Sequence, residues 1–320
     1  MANAFFPQFT LAMFPDAFLP ELLDDLLPVG SRCRFVAREK LAGGCISDAE
    51  RLTIEHPDDR DGSSRRVLFW KKNNVGFLEN FRCEANGLQN LRDAGIIRTP
   101  AVLGLGVSGG QSHLLLEFIE RGRSGIDYQR FGDSLAQHHL ATAGDSIGWP
   151  TDNFLGSTVQ PNRWTSDTGS WPDFFASRRI EHQTRMASDA GLLDTTLKKD
   201  LGDIIRGMDQ WLAGREDLSS LLHGDLWSGN FWSDPDGAPV WIDPAVYRGC
   251  REAEFGMIEL FGGCPGVFHE AYLARWPLPD GWRRRVDIYV LYHLLNHLNL
   301  FGTSYLQSCR ARTAAILRST

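Results

Sequence analysis

Asp225, Asn230 and Asp243 are residue types that together can move a phosphoryl group. The first two stand in the run Leu221-Leu222-His223-Gly224-Asp225-Leu226-Trp227-Ser228-Gly229-Asn230, and the third closes the apolar run Val240-Trp241-Ile242-Asp243. In phosphoryl transfer one carboxylate orients and deprotonates an acceptor hydroxyl, while an amide oxygen and a second carboxylate hold Mg²⁺ against the phosphates of ATP. Each residue alone says little, because an Asp between apolar segments is ordinarily a turn former or a helix cap. The ordered set says more. Leu221-Leu222 and Phe231-Trp232 bracket a polar loop, which is how a scaffold presents reactive groups.

Such a site also needs a cation for the phosphates, held by a strand and a helix. Arg65 to Lys72 reads as a strand, aromatic and β-branched and preceded by Asp61-Gly62-Ser63-Ser64. Both of its faces are apolar, so alternation leaves Lys71 and Lys72 equivalent. The following segment, Phe77 to Ala94, carries a helical stripe of Phe77, Phe81, Leu88 and Leu91, and Glu84 falls on it. A carboxylate on a buried stripe is costly unless a cation meets it, so Glu84 is the expected partner of the strand lysine, whereas Glu79 points to solvent. Upstream, Gly43-Gly44-Cys45 lies between strand-like runs at Cys33–Glu39 and Glu50–Glu55, a hairpin tip where an absent Cβ lets backbone approach a phosphate. By itself a glycine pair there is an ordinary turn.

These segments resemble the fructosamine-3-kinase family, the ketoamine kinases, within the aminoglycoside-phosphotransferase-like branch of the kinase fold. The matching stretches are Gly43-Gly44-Cys45-Ile46, Phe69-Trp70-Lys71, Glu84 to Leu88, Leu114 to Phe118, Asp152 to Asn162, His223 to Asn230, Ile242 to Tyr247 and Arg251 to Gly263. The resemblance spans about residue 30 to beyond residue 300. It implies Asp225 as catalytic base, Asn230 and Asp243 as Mg²⁺ ligands, and Lys71 rather than Lys72 as the phosphate-binding lysine paired with Glu84. It further implies a hinge at Glu120-Arg121-Gly122, with Glu117, Phe118 and Ile119 leading into it and backbone groups there meeting the adenine of ATP. The acceptor implied is the 3-hydroxyl of a ketosamine, free or protein-bound, so that phosphorylation would promote loss of the sugar and restore the amine. Two positions depart from the family pattern. Trp70 replaces a small aliphatic residue, reshaping the nucleotide pocket or filling core volume, and Glu254 stands where Asp is usual, one methylene longer in a structural contact.

The expected fold is α+β and two-lobed: an antiparallel-sheet lobe over residues 1–119 with one key helix, the hinge at 120–122, and a mainly helical lobe over 123–320. A short amphipathic helix is expected at residues 17 to 27. In the larger lobe helices are expected at Tyr128–Thr142, Pro172–Ala190, Thr195–Leu212, Glu252–Phe261 and Trp282–Tyr305. The short connection from Asp243 to Glu252 leaves no room for a phosphorylatable activation loop, which favours a small acceptor. Trp227, two residues past the base, is either a wall for the sugar chain or a core anchor. Trp171, with Gln160 and Asn162, forms a polar-aromatic segment expected to border the same site.

With 320 residues, 42% hydrophobic and 23% charged, the chain can bury one large core or two moderate ones. A net charge of −7 argues against broad nucleic-acid binding. No apolar run is long enough to span a bilayer, and Met1 to Pro7 lacks the basic flank of a signal peptide, so a cytoplasmic protein, monomeric or dimeric, is expected. Six cysteines without Cys-x-x-Cys spacing read as reduced thiols. Cys45, beside the phosphate-binding glycines, is the candidate for a redox-sensitive thiol, against an ordinary small turn residue. The competing functions are phosphoryl transfer to another small hydroxyl compound, of aminoglycoside or choline type, and a catalytically silent nucleotide-binding protein.

Overall fold

The computed structural model describes residues 34–41, 46–55, 65–165, 169–216 and 218–319. The expected helix at residues 17 to 27, and Gly43, Gly44 and Cys45, lie outside them. By compactness the chain divides into two units, one comprising the chain up to Ala85 with Ala101–Phe118, the other Asn86–Pro100 with Ile119–Thr320.

The smaller unit is built on an antiparallel sheet of five strands, β1 Arg34–Lys40, β2 Asp48–Glu55, β3 Arg65–Asn74, β4 Val102–Ser108 and β5 Gln111–Glu117, in the order β1-β2-β3-β5-β4. The register sets Lys71 opposite Ala49 on one side and Leu114 on the other. Strand β3 runs two residues past the expected Lys72. Gly109 and Gly110, both at positive φ, close the β4–β5 hairpin, as a two-residue turn of primed type requires. Leu52, Ile54, Leu68, Leu105, Leu114 and Leu116 are buried with Phe81 of the Leu78–Asp93 helix.

The boundary after Ala85 falls within that helix, so a single cut near residue 119 does not describe the division. Leu91 and Ile97 belong to the core of the larger unit. The Arg98 guanidinium pairs with Asp234 at 2.8 Å, and its carbonyl accepts from the Trp241 amide.

The larger unit is helical, with three two-stranded antiparallel ribbons: Ser219–Leu222 with Tyr247–Cys250, Phe231–Ser233 with Pro239–Trp241, and Asn153–Leu155 with Thr158–Gln160. Its helices include Tyr128–Ala141, capped by Asp127, and the long Trp282–Phe301, buried over most of its length. Three expectations are modified. The Pro172–Ala190 helix is two α segments, Trp171–Phe175 and His182–Asp189, joined by a π-helical turn, Ala176–Glu181. The Thr195–Leu212 helix stops at Gly207 and resumes at Met208. Helices at Gly266–Arg275 and Leu306–Arg318 add to the expected set. Phe131, Phe174, Trp241, Tyr247, Phe255 and Tyr289 are all at most 2% exposed, and full burial of such side chains contributes about 1.5–3 kcal/mol each.

Candidate active site

In the smaller unit the two lysines of β3 point to opposite faces of the sheet, and each meets a carboxylate. The Lys71 ammonium lies 2.8 and 2.9 Å from the two oxygens of Glu84, while Lys72 pairs with the fully buried Glu50 at 2.8 Å. Alternation could not separate them because both faces bury apolar side chains; the helix decides, since only Lys71 faces it. Glu79 is exposed and pairs with Arg82. Trp70 lies on the Lys72 face, where its ring N–H donates to Nδ1 of His113 at 3.2 Å. Nε2 of His113 therefore carries the proton and donates to the Ser108 carbonyl at 3.0 Å. Trp70 thus fills core volume on the face away from Lys71. Glu117 ends β5, accepting the Ala101 amide on its carboxylate, and the Phe118 ring lies under the Arg51 guanidinium.

In the larger unit the loop His223–Asn230 connects the Ser219–Leu222 and Phe231–Ser233 strands. The Asn230 amide nitrogen donates to the Asp225 carbonyl at 2.8 Å and to Asp225 Oδ2 at 3.1 Å. That orients the Asn230 side chain with its nitrogen toward Asp225, leaving its oxygen as the atom able to ligate a hard cation. His223 ties the loop to the segment that follows the Pro239–Trp241 strand and carries Asp243. Its Nδ1 accepts the Asp225 amide at 3.2 Å, which puts the ring proton on Nε2, donating to the Ile242 carbonyl at 2.9 Å. Burial holds the ring's pKa below its usual value, in keeping with a neutral imidazole that both donates and accepts.

Glu254, at the start of the Glu254–Phe261 helix, supports the loop from behind. Its two oxygens accept the backbone amides of His223, at 2.7 Å, and Gly224, at 3.0 Å. Burial pushes its carboxyl above the ordinary range, opposed by His223 and those amides. A third donor faces it: Tyr272 accepts from Arg251, directs its own proton to Nδ1 of His139, and leaves His139 Nε2–H 3.6 Å from Glu254. The two backbone amides, one on each oxygen, are the hydrogen bonds that anchor this carboxyl beneath the loop. Gly224 is at φ +81°, and a Cβ there would run into the Ala245 carbonyl, so glycine is required where the loop crosses this segment.

Asp243 is the one non-glycine residue at positive φ among the described residues, at 58°. Such a backbone costs about 1–3 kcal/mol and persists only where its surroundings over-determine it. They do so on both sides. Ile242 donates to the Asn230 carbonyl and accepts from His223, and Ala245 donates to the His223 carbonyl. The carbonyls of Ala245 and Val246 accept from Gln160, at 3.1 Å, and Asn153, at 2.8 Å.

The loop contacts bring Asp225, Asn230 and the strand end before Asp243 together as the sequence order implied. Trp227 keeps part of its surface open and lies 5.7 Å from the ring of Phe261, itself 38% exposed. Trp171 is corrected: it is 4% exposed, its ring N–H donates to the Tyr289 hydroxyl, and its ring stacks on Tyr247, so it is a core anchor and offers no wall to a ligand. Gln160 and Asn162 are likewise buried, as hydrogen-bonding scaffold. Glu254 was expected in a structural contact, and the structure shows which one, the amides of His223 and Gly224. The loop-supporting role of His223 was not legible from the sequence; the signal available was a histidine between the apolar pair Leu221-Leu222 and the loop glycine.

A ketoamine kinase from Synechocystis, called "Probable ketoamine kinase", is 38% identical over 291 residues, covering 90% of this chain and 93% of its own length. A chloroplastic protein-ribulosamine 3-kinase of Oryza sativa subsp. indica is 37% identical over 289 residues, covering 88% of this chain and 79% of its own. Among solved structures, a fructosamine-3-kinase candidate from Haemophilus somnus superposes with a TM-score of 0.79 at 29% identity, over 93% of this chain and 96% of that one. An aminoglycoside phosphotransferase solved with ADP and hygromycin B shares the fold, at a TM-score of 0.56 and 16% identity, over 94% of this chain and 98% of that one. The family model described as fructosamine kinase matches residues 27–319, and the chain belongs to that family.

Proposed function

We propose that this protein is an ATP-dependent kinase that phosphorylates the 3-hydroxyl of ketosamines, in the service of protein deglycation. The observation that carries the reading is the Asp225–Asn230 pair, bound through His223 to the strand end before Asp243. Asp225 takes the proton of the acceptor hydroxyl as the oxygen attacks phosphorus, and the amide of Asn230 keeps that carboxylate directed.

The residues fit magnesium. An amide oxygen at Asn230 and a carboxylate at Asp243 are hard donors, and no group of three or more His, Cys, Asp or Glu suited to a metal occurs among the described residues. That is the donor set of an ion completed by substrate phosphates and water rather than by a protein cage. When bound, the ion would neutralise charge on the phosphates; Asn230 and Asp243 would hold it. Lys71, directed by Glu84, would bind the phosphates, and backbone groups at Glu117–Ile119 the adenine. Gly43 and Gly44 would add amides to the phosphates.

Trp227, partly open beside Phe261, would face the acceptor's carbon chain. Ketosamines are favoured over aminoglycosides or choline because relatives at 37–38% identity across nearly nine-tenths of the chain are named for ketoamines and ribulosamines. The aminoglycoside enzymes share only the fold. No helix among the described residues is long and apolar enough to cross a membrane, in keeping with the proposed cytoplasmic site of action. The test is Mg²⁺-dependent ADP release with ribulosamine, erythrulosamine, fructosamine, an aminoglycoside and choline offered in turn. Turnover of a ketosamine is expected; turnover confined to an aminoglycoside or choline would overturn the substrate reading, and none with any acceptor the kinase reading.

A further inference from the structure

Arg179 lies wholly inside the larger unit. It is turned inward by the π-helical turn Ala176–Glu181, whose wider hydrogen-bonded ring shifts the side-chain register, so that neighbouring Arg178 is exposed. No carboxylate pairs with Arg179 among the described residues. Its guanidinium instead packs over the rings of Tyr247, at 4.3 Å, and Phe174, at 4.7 Å. It donates to the Pro161 carbonyl and to Oδ1 of Asn162, both at 2.6 Å. A buried cation without a counter-charge is costly, and π turns concentrate at functional sites.

The hydrogen bonds leading away from it have one direction. With its oxygen engaged by Arg179, Asn162 must offer its nitrogen, which donates to Oδ1 of Asn153 at 2.7 Å. Gln160 donates to the same oxygen at 2.8 Å, its own oxygen accepting the Tyr292 hydroxyl at 2.7 Å. Asn153 and Gln160 are thereby fixed against flipping, and their nitrogens donate to the carbonyls of Val246 and Ala245 respectively. Those carbonyls lie three and two residues beyond the strained Asp243.

We propose that Arg179, acting through Asn162, Asn153 and Gln160, is a positioning residue that holds the Asp243 backbone in its left-handed conformation and so directs its carboxylate. This rests on the reading of Asp243 as a magnesium ligand. A cation is needed at the root of the chain because it is a donor that cannot reverse: a neutral residue would leave the Asn162 amide free to turn and the sequence of donors undefined.

The test uses the full chain and its Arg179→Met, Arg179→Lys, Tyr292→Phe and Asp243→Asn variants. The affinity for Mn²⁺ in the presence of ADP is read by the loss of the free-ion EPR signal, beside circular dichroism and the KM for the acceptor. Arg179→Met should weaken Mn²⁺ binding about tenfold, the scale of lost outer supports of metal ligands, with the acceptor KM within about twofold. Arg179→Lys should recover part of the loss, and Tyr292→Phe, which removes one oxygen, should weaken binding about threefold. If Arg179→Met fails to fold, Tyr292→Phe decides. Weakened Mn²⁺ binding in Asp243→Asn, with wild-type binding in Tyr292→Phe and in folded Arg179→Met, would overturn the positioning role alone. Unchanged binding in Asp243→Asn would overturn the metal reading and this role with it.

Discussion

Replacing Glu254 by Gln removes one negative charge and almost no volume from beneath the Asp225 loop. The carboxylate accepts the amides of His223 and Gly224, at 2.7 and 3.0 Å, one on each oxygen. An amide keeps one acceptor and turns an NH₂ group toward the other backbone N–H. Hydrogen bonds to charged groups contribute about 1.5–3 kcal/mol, and a buried N–H left without an acceptor costs a further 1–3 kcal/mol or so, so the loop geometry loses roughly 3 kcal/mol. The fold should survive, because the His223 carbonyl still accepts from Ala245 and its ring still bonds Ile242. The cost then falls on the fraction of molecules with Asp225 correctly aimed. At about 1.4 kcal/mol per factor of ten, kcat should fall by about two orders of magnitude with the ATP KM within about twofold. Glu254→Asp, which keeps the charge and shortens the reach, should retain more activity than Gln. Steady-state ADP release and urea unfolding measure the two components. A Gln variant with wild-type kcat and wild-type unfolding free energy would refute the support role.

Asp225→Asn should lower kcat by about 10²–10⁴-fold while ATP binding, followed by calorimetry, changes little, because a general base acts on the acceptor. Lys71→Met should raise the ATP KM and, by removing one charge of a pair whose side chains are 9% and 12% exposed, lower the stability of the protein; adding Glu84→Gln should restore part of that stability in a thermal melt. His138, His139 and His293 are buried, which lowers them to about 4, about 3 and about 3 from an ordinary 6.5. The unfolded chain therefore takes up protons below pH 6.5 that the folded chain refuses, so stability is full above that value and falls on acidification toward pH 4. Each histidine contributes about 1.4 kcal/mol per pH unit within this window, and a urea midpoint unchanged between about pH 7 and about pH 5 would contradict their neutral burial.

Much of the smaller unit was legible because its periodicities are strong. The β3 strand and the following helix fell within two residues of their expected bounds, and Glu84 met its lysine because an uncompensated carboxylate among Phe81 and Leu88 had to find a cation. The break at Gly207 and the π turn at Arg179 were not legible. A glycine late in an amphipathic run lowers helix preference by about 1 kcal/mol without deciding whether the helix stops there, and a second arginine after Arg178 does not signal a π turn; packing selects the register. Trp171 was misjudged for the same reason: an aromatic residue beside polar ones suits a binding site as well as a core, and only its contact with Tyr289 settles which.

The sequence by itself determined the order Asp225, Asn230, Asp243, the lysine–glutamate pair as a chemical necessity, and membership of a family through motifs spread over nearly the whole chain. Tertiary structure decided which lysine is paired with the helix, which amide nitrogen faces Asp225, and that Asp243 stands at positive φ between carbonyls bonded to Asn153, Gln160 and His223, residues 20 to 90 positions away. The physical reason is that residue type fixes which hydrogen bonds and charges a side chain can offer. Which of them are made, and so where each atom points, depends on long-range packing that brings distant donors and acceptors out of water together.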